Sequence, residues 1–463
     1  MPGKSIVEFK EIIIPIALTI AGSDSGAGAG IQADLKTFAA SGVYGLSVVT
    51  AVTAQNTLGV QDIHVIPPGT IRSQIDSVMV DMGAQAIKSG MLANKATIDA
   101  VAEAVAKHEG IPYVLDPVMV AKSGDALLAE DAVESMRKRL VPLATVVTPN
   151  LDEASALADM AVVDIDSMKL AAEKIHAMGA SAVVVTGGHL DGPPIDLLYD
   201  GHDHELFEGD RVESKNTHGT GCTFAAAIAA ELSKGNSVSH AVTSAKKYLR
   251  EAIEFAEPLG SGYGPVNHFY RMRRDAQSYQ VIRDLSAAVR RLEEKPKAGL
   301  LVPEVQSNLA MGLPGANSPA DVAAFPGRLV RFHDSIRTLA DPEFGASSHI
   351  AKIVLTAMRY DPECRTVLNV FYSKEILAAV RELDLFIVSF NRKMEPHDVK
   401  EREGSSLEWG SEQAIQEHGR VPDIIYDLGD EGKEPMIRIL GPTPGHVVDI
   451  ALRIVDMVAG NPV

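Results

Sequence analysis

Over its first 270 residues the chain alternates between two textures. Short unbroken runs of β-branched and other apolar residues recur at 12–20, 46–52, 112–115, 145–148 and 182–186. Between them lie Ala-rich stretches with apolar residues at helical spacing, at 32–40, 71–82, 96–107, 132–140 and 168–178. Continuous apolar strands suit a sheet buried on both faces, and strand–helix alternation joins such strands in parallel. The pattern predicts an α/β unit: a parallel-sheet sandwich with helices on both faces. Ligands of such sheets bind beyond the carboxyl ends of the strands.

The residues that follow the predicted strands are polar and Gly-rich. Asp24 and the glycines Gly26, Gly28 and Gly30 follow the first, and Gln55 and Asn56 the second. Asp116 follows the third, Asn150, Asp152 and Glu153 the fourth, and Thr186, Gly187, Gly188 and His189 the last. The alternation stops at the charged run Arg271-Met272-Arg273-Arg274-Asp275. We therefore expect a first domain over 1–270, a linker over 271–280 and a second, smaller α/β domain over 281–463. The second has its own predicted strands (366–371, 385–390, 423–428, 436–440) and helices (346–360, 374–383, 446–458). At about 180 residues it is large enough for a core of its own. The stretch 303–326, rich in Pro, Gly, Asn and Ser, reads as a long functional loop.

Composition narrows the classes. The 463 residues are 46% hydrophobic and 22% charged, with a net charge of −18. The acidic balance argues against sequence-independent nucleic-acid binding. It leaves room for phosphate ligands, which backbone N–H groups and a metal can hold. Cys222 and Cys364 are the only cysteines, which suits a reducing compartment. The start, Met1 to Lys10, carries Glu8 and lacks the basic and then apolar regions of a signal peptide, and no apolar run is long enough to span a bilayer. The expectation is a cytoplasmic protein with no membrane partner and with self-association left open.

The strongest local signal is Thr217-His218-Gly219-Thr220-Gly221-Cys222-Thr223 leading into an Ala-rich run. The first amides of a helix lack intrahelical partners and favour an anion, and glycines let a phosphate approach closely. A plain turn before a packed helix is the alternative. Cys222 sits at that helix mouth, where a thiol pKa is lowered, so acid–base work is one reading and a small buried residue the other. Asp116 and Glu153, at one sheet end, suit a Mg²⁺ shared with phosphate oxygens. Asn150 and Asp152 also read as helix caps, the better reading for Asp152. Gly26, Gly28 and Gly30 lack the dinucleotide spacing, and no P-loop or zinc motif occurs. His189, His202 and His204 read as solvated.

Taken together, several blocks resemble the bifunctional hydroxymethylpyrimidine/phosphomethylpyrimidine kinases, which are ribokinase-like. They include Leu18-Thr19-Ile20-Ala21-Gly22-Ser23-Asp24, Gln32-Ala33-Asp34-Leu35-Lys36-Thr37, Ala54-Gln55-Asn56-Thr57, Lys88-Ser89-Gly90-Met91-Leu92, Asp116-Pro117-Val118-Met119 and the 216–223 segment. The resemblance covers 16–270. It implies that Asp34, Gln55 and Met91 contact the pyrimidine and that Gly219, Thr220, Gly221 and Cys222 form the anion hole for ATP. Cys222 then stands where related sugar kinases carry an Asp base, and Asp116 and Glu153 organise Mg²⁺. Thr186 stands where the pattern leads one to expect Lys.

Residues 281–460 resemble the thiamine-phosphate synthase domain found fused behind such kinases. The carriers are Phe325-Pro326-Gly327-Arg328, Gly345-Ala346-Ser347-Ser348-His349, Pro422-Asp423-Ile424-Ile425-Tyr426-Asp427 and Gly432-Lys433-Glu434-Pro435. By that resemblance Arg328 and His349 are catalytic, and the product pyrimidine diphosphate joins a thiazole phosphate. Ser347 and Ser348 begin a predicted helix, a good phosphate site, and an Arg fork suits a diphosphate. Two alternatives stay open: a second domain that senses thiamine phosphate without catalysis, and a first domain that is a pyridoxal-type kinase.

Overall fold

The computed structural model describes residues 14–120, 124, 127–128, 130–188, 190, 192–396, 405–430 and 432–460. The chain divides into two compact units, Met1–Met272 and Arg273–Val463. Among the described residues no helix is long and apolar enough to cross a membrane.

Unit one is built on a single sheet. Its strands are β1 (Ile16–Asp24), β2 (Tyr44–Asn56), β3 (Gly59–Val65), β4 (Ala86–Ser89), β5 (Tyr113–Leu115), β6 (Val146–Val147), β7 (Ala182–Gly187), β8 (Ile195–Tyr199) and β9 (His204–Glu208), in the order β3-β2-β1-β4-β5-β6-β7-β8-β9. The central strands from β2 to β7 run parallel. The edge strands β3 and β9, and β8 next to β9, pair antiparallel and were not part of the predicted parallel pattern. Most side chains of β3 and β9 are exposed or half-buried, so these strands lack the continuous apolar runs of the central ones.

Side-chain alternation explains the helices on both faces. Along β7, Val183 and Val185 enter one core while Ala182 and Val184 enter the other. Each fully buried Val contributes about 1.5–3 kcal/mol. Ile71 and Ile75 of Pro68–Asp81, Ile98 and Val101 of Lys95–Val105, and Met168 of Ile165–His176 cover the first face. Phe38 of Gly30–Ala40, Ile228 of Thr220–Ser233 and Val242 of Val238–Glu254 cover the second. Asn94, Asp164 and Ser237 start three of these helices by accepting a bond from an amide of the first turn.

In unit two the strands are β10 (Leu309–Gly312), β11 (Val322–Ala324), β12 (Leu329–Phe332), β13 (Ser335–Thr338), β14 (Glu343–Phe344), β15 (Thr366–Phe371), β16 (Ile387–Ser389), β17 (Ile424–Asp427) and β18 (Met436–Gly441). Seven form a mixed sheet, β14-β11-β10-β15-β18-β17-β16, while β12 and β13 make a separate hairpin. Among the described residues of this unit, only β16 and β17 pair in parallel. The expected long loop at 303–326 therefore holds β10 and β11. Each is four residues or fewer and is bracketed by Pro and Gly, too short to show a period.

Residues 271–280, expected as a linker, lie within the helix Tyr270–Glu294. Its buried positions Val281, Leu285, Ala288, Val289 and Leu292 follow helical spacing, and the charged run ahead of them is helical surface.

Candidate active site

The carboxyl ends of β1, β2, β4 and β5 meet the start of the helix Thr220–Ser233. Asp24 ends β1 and is 3% exposed. Its Oδ1 accepts from Gly26 N at 2.8 Å, and its Oδ2 from Gly28 N at 3.0 Å and Ala29 N at 2.9 Å. The His218 ring nitrogen Nε2 lies 3.0 Å from the same Oδ2. Burial opposes ionisation of Asp24, but His218 and these amides outweigh it and hold the carboxyl below its ordinary value. The glycine run that fails as a dinucleotide motif is thus a carboxylate-capped turn.

That turn packs on the second glycine loop. Gly219 has φ 80°, and a Cβ there would lie 1.8 Å from Gly28 O. Only glycine fits. Thr220 N reaches Thr217 O and Thr223 N reaches Gly219 O. The amides of Gly221 and Cys222 have no backbone acceptor among the described residues. Gly221 is exposed, with open space where a side chain would be. The loop therefore presents free donors at a helix start, as an anion site requires.

Gln55 ends β2. Its backbone trades two bonds with the Ser25 hydroxyl, at 2.7 and 2.8 Å, and its Oε1 accepts from Thr53 Oγ1 at 3.1 Å. Its amide nitrogen lies 3.5 Å from His218 Nε2. Met91 is buried, with its sulfur against Gly22. Asp34 is fully buried, and its oxygens accept from Thr19 Oγ1 at 2.6 Å and from Lys88 Nζ at 3.1 and 3.0 Å. A carboxylate offers about four lone-pair sites, so Asp34 retains acceptor capacity. Burial raises its pKa, opposed by the ammonium and the hydroxyl.

Asp116 follows β5 and is 3% exposed. Its Oδ2 is buried without a hydrogen-bond partner, and burial, against the pull of Lys88, pushes its pKa up to about 6. Glu153 is pushed up to about 8 by burial and by the negative charge of Asp116. It also closes a capping box: Asn150 N donates to Glu153 Oε2 and Glu153 N to Asn150 Oδ1, both at 2.9 Å. The cap of Leu151–Ala158 is thus Asn150, and Asp152 is an exposed first-turn residue. No group of three or more His, Cys, Asp or Glu side chains suited to a metal occurs among the described residues. Two carboxylates, one with an orphaned oxygen, do fit a Mg²⁺ completed by phosphate and water.

The expected lowering of the Cys222 pKa is overturned. Burial, with Asp116 and Asp34 adding negative charge, pushes the thiol up to about 12 despite Lys88. The helix-mouth effect is weaker than desolvation here, and the group is a thiol at neutral pH. Lys88 is the residue that residue-by-residue reading missed. The signal was there: a lone charge in the fully buried β4, beside Ala86, Ile87 and Ser89. His218 was also missed. His204 is not solvated but half-buried, stacked on Tyr199 at 4.6 Å and 3.4 Å from Glu173. His202 is exposed, and His189 lies outside the described residues.

Unit two gathers a second site. One cavity is lined by Gln306, Asn308, Phe325, Arg328, Ser347 and His349, among others. Arg328 and His349, separated in sequence, thus share one cavity. Arg328 follows Gly327 in a turn, itself at φ 66°, and its guanidinium donates to Val305 O. Asn308 holds that turn at both ends of its amide: Nδ2 donates to Phe325 O at 3.1 Å, and Oδ1 accepts from Phe325 N at 3.0 Å. Asn369 in turn accepts from Asn308 N at 2.7 Å and donates to Gln306 O at 3.1 Å. Ser347 caps Ser348–Tyr360 without a side-chain bond, leaving that hydroxyl uncommitted to the helix.

A parallel sheet covered on both faces, with a glycine anion loop and buried carboxylates at its strand ends, defines a ribokinase-like phosphotransferase. Residues 24–267 match the family model for phosphomethylpyrimidine kinase, and 284–453 that for thiamine-phosphate synthase ThiN. A hydroxymethylpyrimidine/phosphomethylpyrimidine kinase of Streptomyces coelicolor is 50% identical over 254 residues, 55% of this chain and 94% of the relative. The thiamine biosynthesis bifunctional protein ThiED of Geobacter sulfurreducens is 50% identical over 252 residues, 54% of this chain and 51% of that one. The Bacillus subtilis pyridoxal kinase in its ADP complex is similar at 42% identity and TM-score 0.53, covering 56% of this chain and 99% of its own. The Staphylococcus aureus pyridoxal kinase with AMP-PCP gives 38% and 0.53, covering 56% and 96%. The chain belongs to the phosphomethylpyrimidine kinase family, with a thiamine-phosphate synthase domain behind the kinase.

Proposed function

We propose that the protein phosphorylates 4-amino-5-hydroxymethyl-2-methylpyrimidine twice with ATP and then joins the diphosphate to thiazole phosphate, releasing pyrophosphate. The observation that carries the kinase half is the pair of free amides at Gly221 and Cys222 facing the same strand ends as Asp116. In each transfer a substrate oxygen forms a bond to the γ-phosphorus of ATP and the bond to ADP breaks. In a loose transition state, positioning and charge stabilisation do most of the work. The loop amides would hold the transferring group, and Gln55 and Met91, with Asp34 behind, would hold the pyrimidine. Asp116 and Glu153 would hold Mg²⁺, which supplies charge neutralisation to the phosphates. Cys222, as a thiol, donates a hydrogen bond rather than taking a proton.

In the second unit a bond forms between the pyrimidine methylene carbon and the thiazole nitrogen as the bond to the diphosphate breaks. Arg328 would receive the leaving diphosphate and His349 would act beside it, with a phosphate at the Ser347–Ser348 helix start. The two unpaired cysteines suit a cytoplasmic setting.

Purified protein given Mg-ATP, the hydroxymethylpyrimidine and thiazole phosphate should yield thiamine phosphate; absence of product with active nucleotide binding would sink the reading. The likeness to pyridoxal kinases favours one second reading, pyridoxal as an alternative phosphoryl acceptor. Turnover with pyridoxal equal to or above that with the pyrimidine would make it the main one.

A further inference from the structure

We infer that Lys88 is a positioning residue for phosphoryl transfer, tying Asp34 on the pyrimidine side of the site to Asp116 on the phosphate side. The inference rests on the kinase reading and adds to it a residue that the site assignment leaves out.

Lys88 lies in β4, near the middle of the sheet, and is 0% exposed. Its ammonium is 3.0 and 3.1 Å from the two oxygens of Asp34 and 3.6 Å from Asp116 Oδ2. The first two are hydrogen bonds; the third is too long to be one. An ammonium has three donors, and Asp34 takes at most two of them. Asp116 Oδ2 is the buried oxygen without a partner. A lysine donor and a carboxylate oxygen, both with capacity left, thus meet at one point.

Two further observations show that the placement is built. Gly90 follows closely in the chain, and a Cβ there would come 2.8 Å from Lys88 Nζ. The missing side chain is the space the ammonium occupies. Cys222 and Tyr113 also face the ammonium electrostatically, with Glu153 behind Asp116. Stability gives no reason for this arrangement, because a buried ion pair is often no better than apolar side chains of the same volume. Its position among the site residues does give one. Lys88 sets the spacing and orientation of two carboxylates that come from different elements, the helix Gly30–Ala40 and the end of β5.

The test uses the full chain and four proteins: wild type, Gly90→Ala, Lys88→Met and the double variant Asp34→Asn with Lys88→Met. Pyrimidine phosphorylation is resolved into kcat and KM for each substrate, pyrimidine binding is measured by calorimetry, and melting is recorded alongside. Gly90→Ala keeps the charge and moves the ammonium by a few tenths of an ångström. We expect its kcat to fall about 10-fold, with melting and KM for ATP near wild type, as misplacement of a supporting group does. Lys88→Met should lose about 100-fold in kcat. The double variant, which removes both members of the Asp34–Lys88 pair and leaves Asp116 as the carboxylate without its cation, should recover part of the melting temperature but not kcat. Native kcat in Gly90→Ala, or recovery of kcat together with melting in the double variant, would overturn the inference. Should Lys88→Met fail to fold, the other two variants decide. A wild type that does not phosphorylate the pyrimidine sinks the kinase reading instead, and is distinguishable because it needs no variant.

Discussion

The two sites solve the problem of holding phosphate-bearing substrates differently. In unit one the charged groups are buried and lean on one another: Asp34, Lys88, Asp116 and Glu153 are all under a tenth exposed. In unit two Arg328 and His349 are exposed at the rim of a cavity, and what lies beneath them is neutral, the amide ladder of Asn308 and Asn369. Buried charges interact strongly because little water screens them, so each sets the protonation of the next. Exposed charges held by backbone turns act nearly independently. The kinase site should therefore respond to any change as a unit, and the synthase site residue by residue.

The sharpest way to break this contrast is Gly219→Ala. The new Cβ would collide with Gly28 O in a loop at positive φ, and kinase turnover should fall by about 10²–10³ as anion donors are displaced. Synthase turnover with pyrimidine diphosphate supplied should persist; joint loss would erase the distinction between the sites. Next comes Arg328→Ala, for which we expect about a 100-fold loss in synthase kcat/KM with kinase turnover unchanged. Unchanged synthase turnover would revive the sensing domain.

A smaller effect separates hydrogen bonding from thiolate chemistry at Cys222. Because its thiol is held at about 12, Cys222→Ser should stay within a few-fold of wild type, while Cys222→Ala loses about 10-fold. Equal loss in both would favour a thiolate.

The smallest is a pH effect on unit one. His268 is buried with Nε2 3.0 Å from Thr223 Oγ1, and burial lowers its pKa to about 4. The unfolded chain binds the proton first, near the ordinary value of about 6.5. Stability is thus lost as pH falls from about 6.5 through 4 and is flat above that window. His268→Gln should lower melting at pH 8 but lose less between pH 7 and 4. Parallel melting curves across that interval would remove His268 as the cause.

Much of the first unit was legible. Runs such as 182–186 mark β7 because a strand buried on both faces must be apolar throughout, and the glycines at 219 and 221 mark a loop before a helix. β4 was not, because Lys88 interrupts it; the charge that hides the strand is the one that organises the site. In unit two β10 and β11 are too short for periodicity, so a stretch holding two sheet strands looked like loop.

Arg328 and His349 were legible only through the resemblance of their blocks to thiamine-phosphate synthase domains; by itself the sequence determined the class of the first half, through alternating strand and helix textures, strand-end carboxylates and the Gly219–Cys222 loop. Local pattern suffices there because periodicity and turn chemistry act over a few residues. Only the tertiary structure decided which side chains share a charge environment. It buried the Cys222 thiol against two carboxylates, joined Asp34 to Asp116 through Lys88, and set His218 on Asp24 across 194 residues of chain. Desolvation and Coulomb terms depend on distance in space, and no spacing along the chain encodes them.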